Sequence, residues 1–179
     1  LDQIGVAHEV RPLDLDESRL ANETPRRYVE RLAIAKAQTL WKSLSVDERR
    51  PVLGADTTVA LGDEIFGKPT NRGEGIVMLR RLSGRTHEVF TAVSLQSTQG
   101  CDVRLSASEV TFGMLDESEC AAYWDSGEPL GKAGGYAVQG LAASFIVRIT
   151  GSYSGIMGLP LAETAELLRA ISWRLGAED

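Results

Sequence analysis

The chain has 179 residues, of which 43% are hydrophobic and 25% are charged, and its formal net charge is -6. This composition is typical of one globular domain with a sizeable core, and the acidic balance disfavours a nucleic-acid partner. No apolar run is long enough for a membrane-spanning helix, so we expect no membrane partner. Two cysteines, Cys101 and Cys120, do not make a disulfide framework, and we expect reduced thiols in a cytoplasmic protein.

The N-terminal part of the chain reads as an extended segment followed by a helix. Residues 6–15 form the extended segment. Thr24 followed by Pro25 is typical of a helix start, and the apolar spacing predicts a helix over about 25–44. The apolar row of that helix comprises Tyr28, Leu32, Leu40 and Leu44, with Lys36 in the same row.

A hairpin and a second helix are predicted next. Residues 51–61 predict a strand, and a Gly-Asp turn leads into a short return strand over 64–66. Asn71 is typical of a helix N-cap, and we predict a helix over 72–82 that is closed by Gly84.

The second half of the chain is predicted to continue the alternation of strands and helices. In order, the elements are a strand over 86–96, a strand over 101–112, a helix from 116 to about 126, a glycine-rich loop over 127–140 with a short strand at 136–138, a strand over 144–149 and a helix over 160–175. Because two connections read as hairpins, we predict an α/β fold with a mixed β-sheet and flanking helices.

Asp56 is the first candidate for chemistry, because a carboxylate inside a Val/Leu/Ala strand is costly unless it has a partner or a task. Gly54 and Ala55 precede it and leave room for another group to approach the backbone closely. The alternative is a structural aspartate that is bonded to the hydroxyls of Thr57 and Thr58. This stretch by itself leaves both readings open.

Two lysines are the next candidates. Lys36 is flanked by small alanines on its helix, so it either extends to water or points into a cleft. Lys68 lies between Gly67 and Pro69, which restrict the backbone at the end of the predicted hairpin. An ordinary surface position is the alternative for both lysines.

Acidic residues at the end of the extended segment provide a candidate metal ligand. Asp14, Asp16 and Glu17 lie close together, and a solvated loop is the favoured reading for two of the three. The remaining acid and Asp56 would hold a divalent metal through carboxylate oxygens.

The loop over 127–140 is dense in glycine, and its backbone N–H groups are suited to an anion, although it matches no Walker loop or dinucleotide fingerprint. Gln139 carries an amide that both donates and accepts, which suits the adjacent C=O and N–H groups of uracil or thymine. Together the lysines, the carboxylates and this loop favour metal-dependent phosphoryl chemistry.

Six stretches of the chain resemble the Maf family of nucleoside triphosphate pyrophosphatases. They are VERLAIAKA (29–37), VLGADTTV (52–59), GKP (67–69), MLRRLSGRTHEVFTAV (78–93), SGEPLGKAGGYAVQG (126–140) and GSYSGIMGLPLAET (151–164). They span almost the whole chain in the family's order. The resemblance implies one Maf-like domain over 1–179, with an α/β fold, a mixed sheet, two lobes around a cleft, and often a homodimer.

The same resemblance implies hydrolysis of the α–β phosphoanhydride of a nucleoside triphosphate, which gives a monophosphate and pyrophosphate, with Mg or Mn as the cofactor. Asp56 matches the family's general base, and Lys36 and Lys68 match its phosphate-site lysines. Glu17 matches an acid that is implicated in catalysis or metal binding, so Asp56 and Glu17 are the expected metal ligands. The role would be to clear unwanted nucleotides from the cellular pool.

The substrate branch is implied by two short motifs. Thr57 ends GADT and Gln139 lies in Val-Gln-Gly, and both motifs are similar to those of the branch that prefers dTTP and UTP. Thr57 and Gln139 are therefore the residues expected to select the base. The alternatives are a purine or methylated substrate such as 7-methyl-GTP, and a non-enzymatic, nucleotide-sensing regulator of septum formation in cell division.

One departure from the family pattern concerns the start of the chain. The family begins with a strand and a loop of the type Ser-x-Ser-Pro-Arg-Arg, and this sequence begins after them. If that segment is truly absent, we expect a cleft that lacks the N-terminal strand and the two arginines of that loop.

Overall fold

Five strands form one sheet in the order β2-β1-β3-β4-β5 within residues 1–176, the part of the chain that the computed structural model describes. The strands are β1 (Val52–Leu61), β2 (Glu64–Phe66), β3 (Thr86–Ser97), β4 (Gly100–Phe112) and β5 (Ile146–Thr150). β1 with β2 and β3 with β4 form the two hairpins that the turn residues predicted.

All strand pairings in this part of the chain are antiparallel, so the predicted parallel pairing is not found there. β2 and β3 run in the same direction, but β1 lies between them and pairs with both. The helix that connects β2 to β3 therefore crosses over a strand without creating a parallel pair. The α/β architecture with flanking helices is confirmed.

Five α-helices accompany the sheet in the same described residues. They are α1 (Pro25–Ser43), α2 (Arg72–Leu82), α3 (Glu117–Asp125), α4 (Tyr153–Ile156) and α5 (Leu161–Ala170). The first three begin where the sequence predicted, because the side chains of Thr24, Asn71 and Asp116 each accept a backbone N–H of the first turn. None of the helices within residues 1–176 has the length and apolar character that crossing a bilayer demands.

Three predictions for the second half of the chain were wrong in detail. No strand forms at 136–138, because the Ala137 amide donates to the Tyr123 hydroxyl instead of to a neighbouring strand. The next strand begins at Ile146, after a 3₁₀ turn over Leu141–Ser144. The last helix ends at Ala170 rather than near residue 175, since Ser172 turns the backbone to a φ of 75°. The short helix α4 was not predicted.

The two faces of the sheet carry different layers. On one face, Val29 and Ala33 of α1 pack against Ala60, Phe90 and Ala92. On the opposite face, alternate strand residues form cores with the helices, where Val59, Val89, Val93 and Val110 are joined by Leu79 of α2, Tyr123 of α3 and Leu167 of α5. Because strand side chains alternate, Asp56 points to the α1 face and Thr57 to the other face.

Candidate active site

A cavity of about 320 Å³ opens along the edge of β1. β2 pairs only with Val59–Leu61, so residues 55–58 have no strand partner on that side within the described part of the chain. The cavity therefore reaches both faces of the sheet across this edge. Its polar lining comprises Lys36, Asp56, Thr57, Lys68, Lys132 and Gln139, and its apolar lining includes Val59, Val89, Tyr136 and Ile156.

A three-residue charge cluster occupies the α1 side of this edge. The Lys36 Nζ atom lies 2.6 Å from Asp56 Oδ1 and 2.7 Å from Glu17 Oε1. The Asp56 side chain is only 10% exposed, whereas the Glu17 side chain is 40% exposed. One ammonium thus bridges a nearly buried carboxylate and a partly solvated one.

The surroundings shift the pKa values of the two carboxyl groups in opposite directions. Burial raises the pKa of Asp56, the negative charge of Glu17 adds to the increase, and the attraction of Lys36 does not cancel it. The hydrogen bond from Lys36 lowers the pKa of Glu17. Burial alone would lower the pKa of Lys36, but its two carboxylate partners outweigh burial and raise it, so the lysine stays charged.

Close packing of α1 on β1 brings Lys36 to Asp56. Gly54 faces the helix, and a Cβ atom there would lie 2.6 Å from the Ala37 amide nitrogen and nearer still to the Ala33 carbonyl oxygen. The buried side of α1 includes Val29, Leu32, Ala33 and Ala37, so of the apolar row that we predicted through Lys36 only Leu32 is buried. Lys36 lies at the margin of the buried side, where its ammonium reaches the cavity.

Hydrogen bonds to α1 hold the segment that carries Glu17. The Tyr28 hydroxyl donates to the Glu17 backbone carbonyl at 3.0 Å. The buried Glu23 carboxylate accepts two hydrogen bonds from Arg31, which also donates to the Ser18 carbonyl. Glu17 therefore approaches Lys36 from a segment that is tied to α1 at Glu17, Ser18 and Glu23. Asp14 and Asp16 are exposed, as the sequence favoured for two of the three acids.

Lys68 and Lys132 line the cavity without an ion pair or side-chain hydrogen bond among residues 1–176. The hairpin end that carries Lys68 is joined to the glycine-rich loop by a 3.0 Å hydrogen bond from the Gly134 amide to the Gly67 carbonyl. Gly134 adopts a φ of 69°, and a Cβ atom there would press against Val59, so this contact requires glycine. Both ammonium groups are free to bind an anion.

A carboxylate inside the glycine-rich loop sets its shape. Glu128 accepts the Tyr123 hydroxyl at 2.7 Å and the backbone N–H groups of residues 141–142. The same hydroxyl accepts the Ala137 amide at 3.1 Å. These bonds place Gln139 at the mouth of the cavity, where it is exposed and where no residue of 1–176 hydrogen-bonds its side chain.

The opposite side of the edge is suited to a flat ring. Thr57 and Gln139 contribute polar atoms there, and Val59, Val89 and Tyr136 form buried apolar walls. The Thr57 hydroxyl lies 2.9 Å from the Thr91 hydroxyl, which in turn donates to the Gly155 carbonyl at 2.7 Å. The charge cluster of Lys36, Asp56 and Glu17 and the side of the cavity that Thr57 lines thus lie on opposite faces of the sheet.

The donor set fits a divalent cation that is shared with a substrate. Asp56 and Glu17 are carboxylates that face the same ammonium, and Mg²⁺ is commonly held by one or two protein carboxylates together with substrate phosphates. Among residues 1–176, no group of three or more His, Cys, Asp and Glu side chains is arranged to hold a metal ion, so the two carboxylates would need substrate phosphates as further ligands.

The structure brings together most of what the sequence singled out. Glu17, Lys36 and Asp56 are in contact, and Lys68, Thr57 and Gln139 line the same cavity. Lys132 and the apolar walls were not predicted from the sequence. Lys132 had a signal, since it stands between glycines of the loop that was identified, whereas the walls come from separate elements without a shared local pattern.

Comparisons with known proteins agree over nearly the whole chain. The family model described as Maf-like protein matches residues 1–171. A dTTP/UTP pyrophosphatase of Pseudoalteromonas atlantica is 47% identical over 173 residues, which are 96% of this chain and 90% of that protein. A dTTP/UTP pyrophosphatase of Xanthomonas axonopodis pv. citri is 49% identical over 172 residues, which are 95% of this chain and 90% of that protein.

Proposed function

The chain belongs to the family of Maf-like proteins, and from that membership we propose that it is a nucleoside triphosphate pyrophosphatase acting on dTTP and UTP. The reaction is hydrolysis of the α–β phosphoanhydride to a nucleoside monophosphate and pyrophosphate. The observation that carries the proposal is the contact of Asp56, Lys36 and Glu17 beside a cavity that two further lysines line.

Asp56 is the proposed general base. Burial raises the pKa of its carboxyl group, which makes the carboxylate a stronger base than an exposed aspartate, and it lies at the cavity wall where a water molecule has access. Glu17 has a lowered pKa and stays ionised, so it supplies a fixed negative charge. Two carboxyl groups whose surroundings separate their pKa values are typical of a site that divides base and electrostatic roles.

The lysines are the proposed phosphate contacts. Lys36 keeps its charge at the cavity edge, and Lys68 and Lys132 lie on the hairpin end and the glycine-rich loop. Fixed cations around the leaving pyrophosphate would stabilise the negative charge that develops on it. Lys36 also orients Asp56, since it donates to Asp56 Oδ1.

Mg or Mn is the proposed cofactor, with Asp56 and Glu17 as its protein ligands. A bound divalent cation would neutralise phosphate charge and lower the pKa of a coordinated water.

Thr57 and Gln139 are the proposed base contacts. The free thiols of Cys101 and Cys120 agree with a reducing compartment, and we propose a cytoplasmic homodimer that binds neither nucleic acid nor membrane.

The direct test is product analysis with UTP, dTTP, GTP and 7-methyl-GTP in the presence of Mg or Mn. We expect pyrophosphate with UMP or dTMP, and much slower turnover of the purine nucleotides. Asp56→Asn should lower kcat by about 10²- to 10⁴-fold, the range for loss of a general base, without lowering the melting temperature. Asp63→Asn, at an exposed turn, is the matched control and should keep full activity.

Other outcomes would redirect the assignment. Orthophosphate with a nucleoside diphosphate would exclude α–β cleavage. Preferred turnover of 7-methyl-GTP would move the chain to the purine alternative. Saturable nucleotide binding without any turnover would favour the regulator of septum formation.

A further inference from the structure

Thr91 has one hydroxyl proton and takes part in two hydrogen bonds. Its Oγ1 atom donates to the Gly155 carbonyl at 2.7 Å and lies 2.9 Å from Thr57 Oγ1. A carbonyl oxygen only accepts, so the single proton of Thr91 is committed to Gly155. The Thr57 hydroxyl must then donate its own proton to Thr91.

The direction of these bonds fixes what Thr57 offers to the cavity. Thr91 is buried on the central part of β3, with 1% of its surface exposed, so no water competes for its oxygen. Thr57 is half-buried and lines the cavity. With its proton turned inward, its hydroxyl presents only lone pairs to a ligand.

We propose that Thr91, acting through Thr57, makes the base end of the cavity an obligatory acceptor that selects uracil and thymine over cytosine. Uracil and thymine carry a hydrogen at ring nitrogen N3 and can donate to Thr57. Cytosine has a lone pair at N3, so two acceptors would face each other. The inference rests on the proposed nucleotide site and adds to it a specificity-determining residue that positions a proton.

Gln139 alone does not provide this discrimination. Its side chain is exposed, and within residues 1–176 nothing hydrogen-bonds its amide. A free amide rotates by half a turn and exchanges its C=O and NH₂ ends, so it pairs with uracil or cytosine equally well. Thr57 differs because Thr91 and Gly155 prevent the exchange of donor and acceptor.

The apolar walls make a mismatch costly. Val59 and Val89 are buried around the same part of the cavity and have no polar side-chain atom, and the hydroxyl of buried Tyr136 is already paired with His87. A site built to pair with a ligand N–H rejects the analogue without it, because its buried polar groups are left unpaired. We expect kcat/KM for UTP to exceed that for CTP by about 10- to 100-fold, the size of one unmade buried hydrogen bond.

The test compares Thr91→Val with Thr91→Ser. Valine has the shape of threonine but leaves Thr57 free to donate into the cavity, so the UTP/CTP ratio of kcat/KM should fall by about tenfold. Serine keeps the hydroxyl and should keep the ratio. A purely structural role of Thr91 would lower kcat/KM for both nucleotides together and leave the ratio unchanged, which would overturn the proposal.

A second variant and a binding assay keep the result decisive. If Thr91→Val does not fold, Thr57→Val provides a second test, because Thr57 lies at the edge of the sheet. We expect Thr57→Val to lose the discrimination between UTP and CTP and its control, Thr57→Ser, to keep it. Dissociation constants for the α,β-methylene analogues of UTP and CTP report base selection without turnover. Selective binding that Thr91→Val abolishes would support this inference even if wild type hydrolyses neither nucleotide, which would contradict only the proposed function. Binding of neither analogue would overturn both.

Discussion

Lys36 carries one positive charge between two carboxylates, and the two acids respond differently to it. Asp56 is nearly buried, so desolvation raises its pKa despite a 2.6 Å contact with the ammonium. Glu17 is more exposed and gains mainly from the hydrogen bond, so its pKa falls. Two ordinary carboxyl groups beside one ammonium can therefore serve different roles, one as a base and the other as a permanent anion.

Replacing Glu17 should change the pH dependence of turnover in a defined direction. Glu17→Gln removes a negative charge that raises the pKa of Asp56. It also leaves Asp56 as the only carboxylate partner of Lys36. Both effects favour the ionised Asp56, so the acid limb of kcat/KM should move to lower pH. A pH profile of UTP hydrolysis measures the shift.

The neighbouring acid Asp16 provides the control for this profile. It is exposed and hydrogen-bonds the Ser18 amide, so Asp16→Asn should leave the acid limb in place. An acid limb of Glu17→Gln that stays put or moves to higher pH would contradict the role of Glu17 in setting the base.

At the scale of elements, the site depends on how closely α1 approaches β1. Ala33 and Ala37 on the helix meet Gly54 on the strand, and the three small residues bring the backbones together. Lys36 is one residue from Ala37, and Asp56 is two residues from Gly54. The distance between the charged groups is therefore a consequence of packing between small residues.

Gly54→Ala should separate the two elements and disable the site. The added Cβ would overlap backbone atoms of α1, which cannot rotate away as a side chain would. We expect a loss of about 1–3 kcal/mol in the free energy of unfolding, measured with urea, and a larger fractional loss in kcat/KM.

Gly73→Ala is the matched substitution at an exposed position of α2. A Cβ at Gly73 meets only the Asn71 side chain, at 3.4 Å, and alanine favours the helical backbone. That variant should be as stable as wild type or up to about 1 kcal/mol more stable. Equal stability and activity of Gly54→Ala and Gly73→Ala would show that the close approach does not position Lys36.

Across the whole molecule, short sequence patterns predicted the helices and strands, whereas contacts between residues distant in the sequence determine the geometry of the site. The caps at Thr24, Asn71 and Asp116 act within one turn, so the sequence places those helix starts correctly. The position of β1 between β2 and β3 depends on pairing between distant residues, and the predicted mixed sheet did not allow for it. The two hydrogen bonds of Thr91 link it to Thr57, which is 34 positions away in the sequence, and to Gly155, which is 64 positions away. No local sequence pattern predicts contacts at such separations.

The stability of the whole domain should depend on pH through one buried histidine. His87 is 1% exposed, its Nε2 atom lies 2.8 Å from the Tyr136 hydroxyl, and its Nδ1 atom has no hydrogen-bond partner among residues 1–176. Burial lowers the pKa of His87 from 6.5 to about 4. Between those values the unfolded chain binds a proton that the folded chain does not, so acidification favours unfolding.

His87 should therefore stabilise the fold fully above pH 6.5 and lose that contribution as the pH falls to about 4. The lost free energy of unfolding is about 3 kcal/mol, which urea titrations across this range would measure. His87→Gln removes the titrating group and should flatten the slope, although the smaller side chain lowers stability at neutral pH. His8→Gln, at the exposed second histidine, should keep the wild-type slope. A slope that survives in His87→Gln would place the acid sensitivity elsewhere in the molecule.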